Sequence, residues 1–226
     1  MVPAVVLSAG QSSRMGSPKA LLRAPDGHLF ITRIVTAFGE AGIADVTVVT
    51  GAHHEAIVAA VTADAGARQR TAGRGMPLPR FVRNPDPSRG QLSSLWAGMD
   101  AALGPAAEAL LVTLVDVPMI DARTIAAVVD AWRHSRAPIV RPAIGDRHGH
   151  PVLFDRALFD ELRAAPLDGG AKTVVRAHAA DIVNVPAADD GSLIDVDTPS
   201  DLAALSRRRP PQSGSGSIGG RGPNTT

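Results

Sequence analysis

The first nineteen residues constrain this chain more than any other part of it. Ala4-Val5-Val6-Leu7-Ser8 is an apolar run without alternation, the pattern of a strand covered on both faces, as in a parallel sheet. Ala9-Gly10-Gln11-Ser12-Ser13-Arg14-Met15-Gly16-Ser17-Pro18-Lys19 follows at once, with two glycines, short hydroxyl side chains and two cations. Small residues let backbone N–H groups approach an anion closely. Arg14 offers a planar fork of donors and Lys19 a point charge, and both suit a polyphosphate. A loop at the carboxyl end of the first strand is also where open α/β sheets bind ligands. On the residues alone, a phosphate loop competes with a glycine-rich connection that carries surface charges. Two familiar phosphate motifs are excluded by spacing. Gly10 and Gly16 are six apart with Lys19 three further on, which is not a Walker loop, and no G-x-G-x-x-G follows the strand.

The rest of the chain alternates short apolar runs with amphipathic stretches, which predicts an α/β fold with a largely parallel sheet. Further strands are expected at Val46–Thr50, Arg80–Arg83, Ala109–Val115, Pro138–Arg141, Pro151–Phe154, Ile182–Val185 and Leu193–Val196. Helical stripes are carried by Phe30, Ile34 and Phe38, by Ile57, Val58 and Val61, by Leu92, Leu95, Met99 and Leu103, and by Ile125, Val128, Val129 and Trp132. Asp121 is a natural N-cap for the last of these. Shorter helices are expected over Arg156–Ala164 and Lys172–His178, and residues 63–79, rich in Gly, Arg and Ala, read as a loop. Thr198-Pro199-Ser200-Asp201 is a capping box with Pro at the first helical position, and it opens a final helix through Leu202 and Leu205. One domain over residues 1–206 is expected, followed by a disordered Arg/Gly/Ser-rich tail over 207–226.

Composition removes several classes. With no Cys, disulfide scaffolds, thiolate zinc sites and Cys nucleophiles are excluded. Lys plus Arg is 23 against 22 Asp plus Glu, and four of the arginines sit in the tail, so the body is slightly acidic. That, with only five Phe, two Trp and no Tyr, argues against nucleic-acid binding. No apolar run approaches the roughly 20 residues that span a bilayer, and a cytoplasmic location is expected. Asp116, closing the apolar run Leu110–Val115, either caps a turn or binds a metal. Asp195 and Asp197, before the last helix, pose the same choice. His148 and His150, at i and i+2 with no third ligand nearby, make a weak metal signal.

The segment Leu7-Ser8-Ala9-Gly10-x-Ser12-x-Arg14-Met15-Gly16-x-x-Lys19 resembles the signature L-A-A-G-x-S-x-R-M-G-x-x-K of the nucleotidyltransferases that include the molybdenum-cofactor enzymes, with Ser8 the one change in its fixed positions. The resemblance runs from Val5 to Leu205. It implies a Rossmann-like three-layer α/β/α fold and transfer of NMP from an NTP to a phosphorylated acceptor, with release of pyrophosphate. It implies catalytic roles for Arg14, Lys19 and Asp116. Nucleotide contacts are implied at Leu7, Ala9, Gly10, Ser12, Arg14, Gly16 and Lys19, and, through the match of Asn84-Pro85 with Gly90-x-x-Ser93-Ser94-Leu95, at Asn84, Ser93 and Ser94. The L-x-x-x-D-x-P and D-x-D-T-P segments imply Mg²⁺, replaceable by Mn²⁺, on Asp116 and Asp197, with Asp195 the alternative second ligand.

Gly149-His150-Pro151-Val152-Leu153-Phe154 resembles the cytidylyltransferase branch near its acceptor, which implicates His150. Leu167–Lys172 resembles G-D-x-G-A-R and implicates Lys172, although Leu and Lys replace Gly and Arg. Ala9, where the guanylyl branch has Gly, also resembles the cytidine branch, and its methyl is expected to narrow the space for a purine. The implied reaction is transfer of CMP from CTP to the terminal phosphate of a molybdopterin-type cofactor, with GTP the alternative donor and a molybdoenzyme or its chaperone the recipient. A nucleotide-binding regulator without activity is the reading of a different class. It is disfavoured by the joint presence of Arg14, Lys19, Asp116 and Asp197.

Overall fold

A computed structural model describes residues 1–72 and 78–208. Strand β1 (Ala4–Ser8) lies inside the sheet, parallel to β2 (Val46–Thr50) on one side and β4 (Ala109–Leu114) on the other, while β3 (Arg80–Arg83) pairs parallel with β2 at the edge. All ten residues of β1 and β2 are buried, which is why they read as apolar runs without alternation. Beyond β4 the direction changes. Strand β7 (Val152–Asp155) runs antiparallel between β4 and β5 (Ile139–Ile144), β6 (Arg147–His148) folds back on β5, and β8 (Ile182–Pro186) pairs parallel with β5.

Helices cover both faces, giving the expected three layers. Residues pointing one way from the strands, among them Val6, Val48 and Leu111, pack under α1 (Phe30–Glu40), α2 (His54–Ala72) and α4 (Ala122–Ser135). Their neighbours Val5, Val49, Leu110 and Val112 point the other way, under α3 (Gln91–Ala102), α5 (Phe159–Ala164) and α6 (Ala171–Ala177). Phe30, Ile34 and Phe38 are wholly buried, as their spacing required. Asp121 caps α4 by accepting from Arg123 N–H at 2.7 Å. Thr198 and Asp201 form the reciprocal capping box of α7 (Pro199–Ser206).

Three expectations change. Residues 63–72 continue α2: Ala65 extends the buried stripe of Ile57 and Val61, and alanine is the best helix former, so packing and propensity outweigh the loop-like composition. Residues 73–77 lie outside the described part. Leu193–Val196 is not a strand. A single tight turn over Asp190–Leu193 leads into extended chain held by two bonds, His150 N–H to Ser192 C=O and Val196 N–H to Asp116 C=O, both 2.8 Å. Of the expected tail, Arg207 ends α7 and Arg208 pairs with Asp190 at 2.5 Å, and residues 209–226 lie outside the described part.

Candidate active site

The carboxyl ends of β1, β2 and β4 open on one edge of the sheet, and a cleft of about 650 Å³ lies there. Its floor is the loop after β1. Ser12 adopts a positive φ of 50°, its carbonyl accepts from Met15 N–H at 2.9 Å, and its hydroxyl accepts from Lys19 N–H at 3.2 Å. Ser12 therefore shapes the loop from within, and Gly16, at φ +68°, allows the turn that brings Lys19 back. Leu7, Ala9, Gly10, Ser12, Arg14 and Lys19 all line the cleft, while Gly16 does not. Gly51, at the end of β2, forms a wall that sequence reasoning missed. A Cβ there would sit 2.7 Å from the Ala9 carbonyl oxygen, so only glycine lets the two strand ends approach this closely.

Lys19 reaches across the cleft floor. Its Nζ lies 3.0 Å from Asp116 Oδ2 and 2.5 Å from Asp197 Oδ1. Burial works to lower its pKa, but the hydrogen bonds and charges of Asp197 and Asp116 together outweigh it, and the ammonium is held above its usual range. The bond from Val196 N–H to Asp116 C=O pins the acidic segment 195–197 against the end of β4. Two carboxylates, 97 and 178 positions along the chain from Lys19, thus converge on it through backbone docking. Asp195 stands beside them with its pKa raised, by burial first and by repulsion from Asp116 next.

A second cleft of about 510 Å³ adjoins the first. Leu7, Gln91, Leu114, Asp116 and Asp197 line both, so the two carboxylates stand on the boundary between the cavities. His150 and Lys172 line only the second cleft, as does Asp195. Burial depresses the pKa of His150, and its Nδ1 faces the Val112 carbonyl at 3.4 Å. A carbonyl only accepts, so Nδ1 carries the proton of the neutral ring.

The nucleotide contacts expected in the middle segment divide. Asn84 is buried and donates from Nδ2 to the hydroxyls of Ser93 and Ser94, both at 2.9 Å. Ser93 donates in turn to the Gly90 carbonyl at 2.8 Å. This network ties the turn after β3 to α3. Ser94 borders the first cleft, whereas Asn84 and Ser93 sit behind it and support it. Asp86, Ser88 and Gln91, which carry no distinctive signal in the sequence, line the cleft instead. Ala9 is 5% exposed and belongs to the apolar cluster around Leu7 and Val49. Its methyl is largely covered, so any base preference from position 9 acts through the placement of its backbone and not through a narrowed cleft.

Fit to a hard divalent ion can be judged from the donors. Asp116 Oδ1 is buried with no hydrogen-bond partner, an orphaned oxygen beside a second carboxylate. Among the described residues no three His, Cys, Asp or Glu side chains form a closed metal cage. One or two carboxylates at a phosphate site, completed by substrate oxygens, is how Mg²⁺ is usually held. The donor chemistry of Asp116 and Asp197 fits such an ion.

A loop of small residues and cations at the carboxyl end of the first strand, with two carboxylates between two cavities, is a site with the chemistry to hold phosphate-bearing ligands on a three-layer α/β fold. Comparison with known proteins gives the family. Residues 4–182 match the MobA-like NTP transferase domain, and the chain belongs to that family. The matched domain makes it a nucleotidyltransferase. A Mycobacterium avium protein named "probable molybdenum cofactor guanylyltransferase" is 25% identical over 209 residues, 91% of this chain and 95% of the relative. The crystal structure of Rv0371c from Mycobacterium tuberculosis superimposes with a TM-score of 0.70 at 24% identity, covering 92% of this chain and 99% of that one, and the same protein has been solved with manganese. A 4-diphosphocytidyl-2C-methyl-D-erythritol synthase from Anaerococcus prevotii shares the fold, with a TM-score of 0.64 at 15% identity over 91% of this chain and 94% of that one.

Proposed function

We propose that the protein transfers CMP from CTP to the terminal phosphate of a molybdopterin-type acceptor and releases pyrophosphate. The observation that carries the transfer reading is the position of Asp116 and Asp197 on the boundary of two adjoining cavities, with Lys19 bonded to both. One cavity takes the triphosphate on the loop 9–19, and the other takes the acceptor beside His150 and Lys172. An acceptor phosphate oxygen attacks the α-phosphorus, the bond from that phosphorus to the bridging oxygen breaks, and pyrophosphate leaves with the electron pair. The nucleophile is already an anion, so no general base is required. What the protein must overcome is repulsion between two anions, and Arg14 and Lys19 supply fixed positive charge at the reacting phosphates. Mg²⁺, or Mn²⁺ as in the manganese-bound relative, would be held by Asp116 and Asp197 and would add charge neutralisation there. Neutral His150 lines the acceptor cavity without adding charge.

CTP is favoured by Ala9 and by the Gly149–Phe154 string, both of which resemble the cytidine branch. The second reading is guanylyl transfer, favoured by the names of the curated relatives. Pyrophosphate release with CTP and with GTP, on molybdopterin with and without molybdenum, tests both readings. A higher kcat/KM for CTP, reduced but not inverted in Ala9→Gly, is the expected result. A preference for GTP replaces the cytidylyl reading by the guanylyl one. Release with neither nucleotide rejects the transfer reading. The product's recipient is proposed to be a molybdoenzyme or its chaperone, in the cytoplasm. Among the described residues no helix is long and apolar enough to cross a membrane.

A further inference from the structure

The second cleft is also bordered by a guanidinium that has no charge partner among the described residues. Arg141 lies on β5, half-buried, opposite Asn184 of β8 in the parallel register. Its Nε donates to Asn184 Oδ1 at 2.9 Å, and among the described residues no carboxylate lies within ion-pair distance of it. Burial lowers its pKa, with no neighbouring acid to compensate, and its charge in turn lowers the pKa of exposed His148 after burial has done so. A partly desolvated guanidinium normally finds an acceptor for its remaining N–H groups, because leaving charged donors unpaired is expensive. Asn184 fixes one edge of the fork and leaves the terminal amino groups unassigned.

The surroundings describe what would meet them. Leu92, Leu95, Val112, Val152, Phe154 and Val175 also line the cleft, giving it an apolar belt. The acids Asp116 and Asp197 mark its boundary with the nucleotide cleft. A ligand that fits has a phosphate at that boundary, a flat apolar body along the belt, and a carbonyl oxygen that accepts hydrogen bonds at Arg141. A planar guanidinium donates to such a carbonyl as arginine does to O6 of guanine.

We propose that Arg141, oriented by Asn184, selects the acceptor by donating to the carbonyl edge of its fused heterocycle. This rests on the reading of the second cleft as the acceptor site. The test is equilibrium binding of two phosphomonoesters, 6-hydroxymethylpterin phosphate and benzyl phosphate, which share the phosphate end and differ in the ring edge. Wild-type protein should bind the pterin ester about tenfold or more tightly than the benzyl ester. Arg141→Met should remove most of that difference while leaving the affinity for CTP with Mg²⁺ unchanged. Arg141→Lys, which keeps the charge and loses the fork, should retain only a minor part of the preference, and it carries the test if the Met variant fails to fold. Equal binding of the two esters by wild type, or a preference preserved in Arg141→Met or fully preserved in Arg141→Lys, overturns the assignment. Wild type that binds CTP with Mg²⁺ but neither ester overturns the acceptor reading of the cleft and the Arg141 role together. A pterin preference lost in Arg141→Met, in a protein that binds no nucleotide, supports Arg141 and rejects nucleotidyl transfer.

Discussion

Replacing Lys19 by Ala probes the centre of the site, and its consequences can be worked from the geometry. The ammonium is 12% exposed and holds two carboxylates, Asp116 at 22% exposure and Asp197 at 51%. The bond to Asp116 is a charged hydrogen bond in a partly desolvated place, worth about 1.5–3 kcal/mol. The bond to Asp197 is mostly solvent-screened, worth about 0.2–1 kcal/mol. Removing the lysine therefore costs stability on the order of 2 kcal/mol, which for a domain of this size lowers Tm by roughly 4–8 °C. Turnover should fall further in relative terms, by about 10²–10³, because one preorganised charge is lost at the reacting phosphates. The paired Lys19 has a pKa above its unfolded value near 10.5. Its stabilisation is therefore complete at neutral pH and is lost only as pH rises through the folded-state pKa, so the Tm difference from wild type should be flat from about pH 6 to 9. Differential scanning calorimetry with and without Mg²⁺, beside a pyrophosphate-release assay, measures all of this. A Lys19→Ala variant that melts with wild type and turns over within a few-fold of it would remove Lys19 from the site.

Asp116→Asn should abolish Mg²⁺-dependent turnover with only a small change in Tm, since the loss of its bond to Lys19 is offset by relief of repulsion with Asp195. A Mg²⁺ titration that keeps its wild-type shape in this variant would exclude Asp116 as a ligand. Gly51→Ala places a methyl 2.7 Å from the Ala9 carbonyl oxygen, so the loop end of β1 must shift. A loss of about 1–3 kcal/mol in urea unfolding is expected, together with weaker nucleotide binding, and an unchanged midpoint would refute the close approach. Thr198→Ala removes the hydroxyl that accepts from Asp201 N–H at 3.2 Å in the capping box, and about 1 kcal/mol should go with it. Because the same helix follows the segment that carries Asp197, KM for Mg²⁺ should rise as well.

Local chemistry alone determined a large part of this protein. Unbroken apolar runs could only be strands covered on both faces, the Phe30–Phe38 stripe could only be a core-facing helix, and Thr198-Pro199-Ser200-Asp201 carries its own N-terminal hydrogen bonds. Glycines, hydroxyls and cations between Gly10 and Lys19 made an anion loop one of two readings before any fold was known, because that chemistry is local. Reading by composition failed at residues 63–72, where Ala65 continues a buried stripe that charged neighbours obscured. Tertiary structure decided what depends on contacts between distant segments. One backbone bond, Val196 N–H to Asp116 C=O, docks the acids of the last loop against the end of β4 and makes a bridge of Lys19. Asn84 and Ser93 carry side chains suited to nucleotide contact, yet they satisfy one another behind the cleft wall. Gly51 and Arg141 had no legible signal, since a close approach of two strand ends and a missing counter-charge are properties of neighbours far away in the chain. Burial sets these residues apart, because it turns an ordinary glycine into a steric requirement and leaves an ordinary arginine, among the described residues, without a counter-charge.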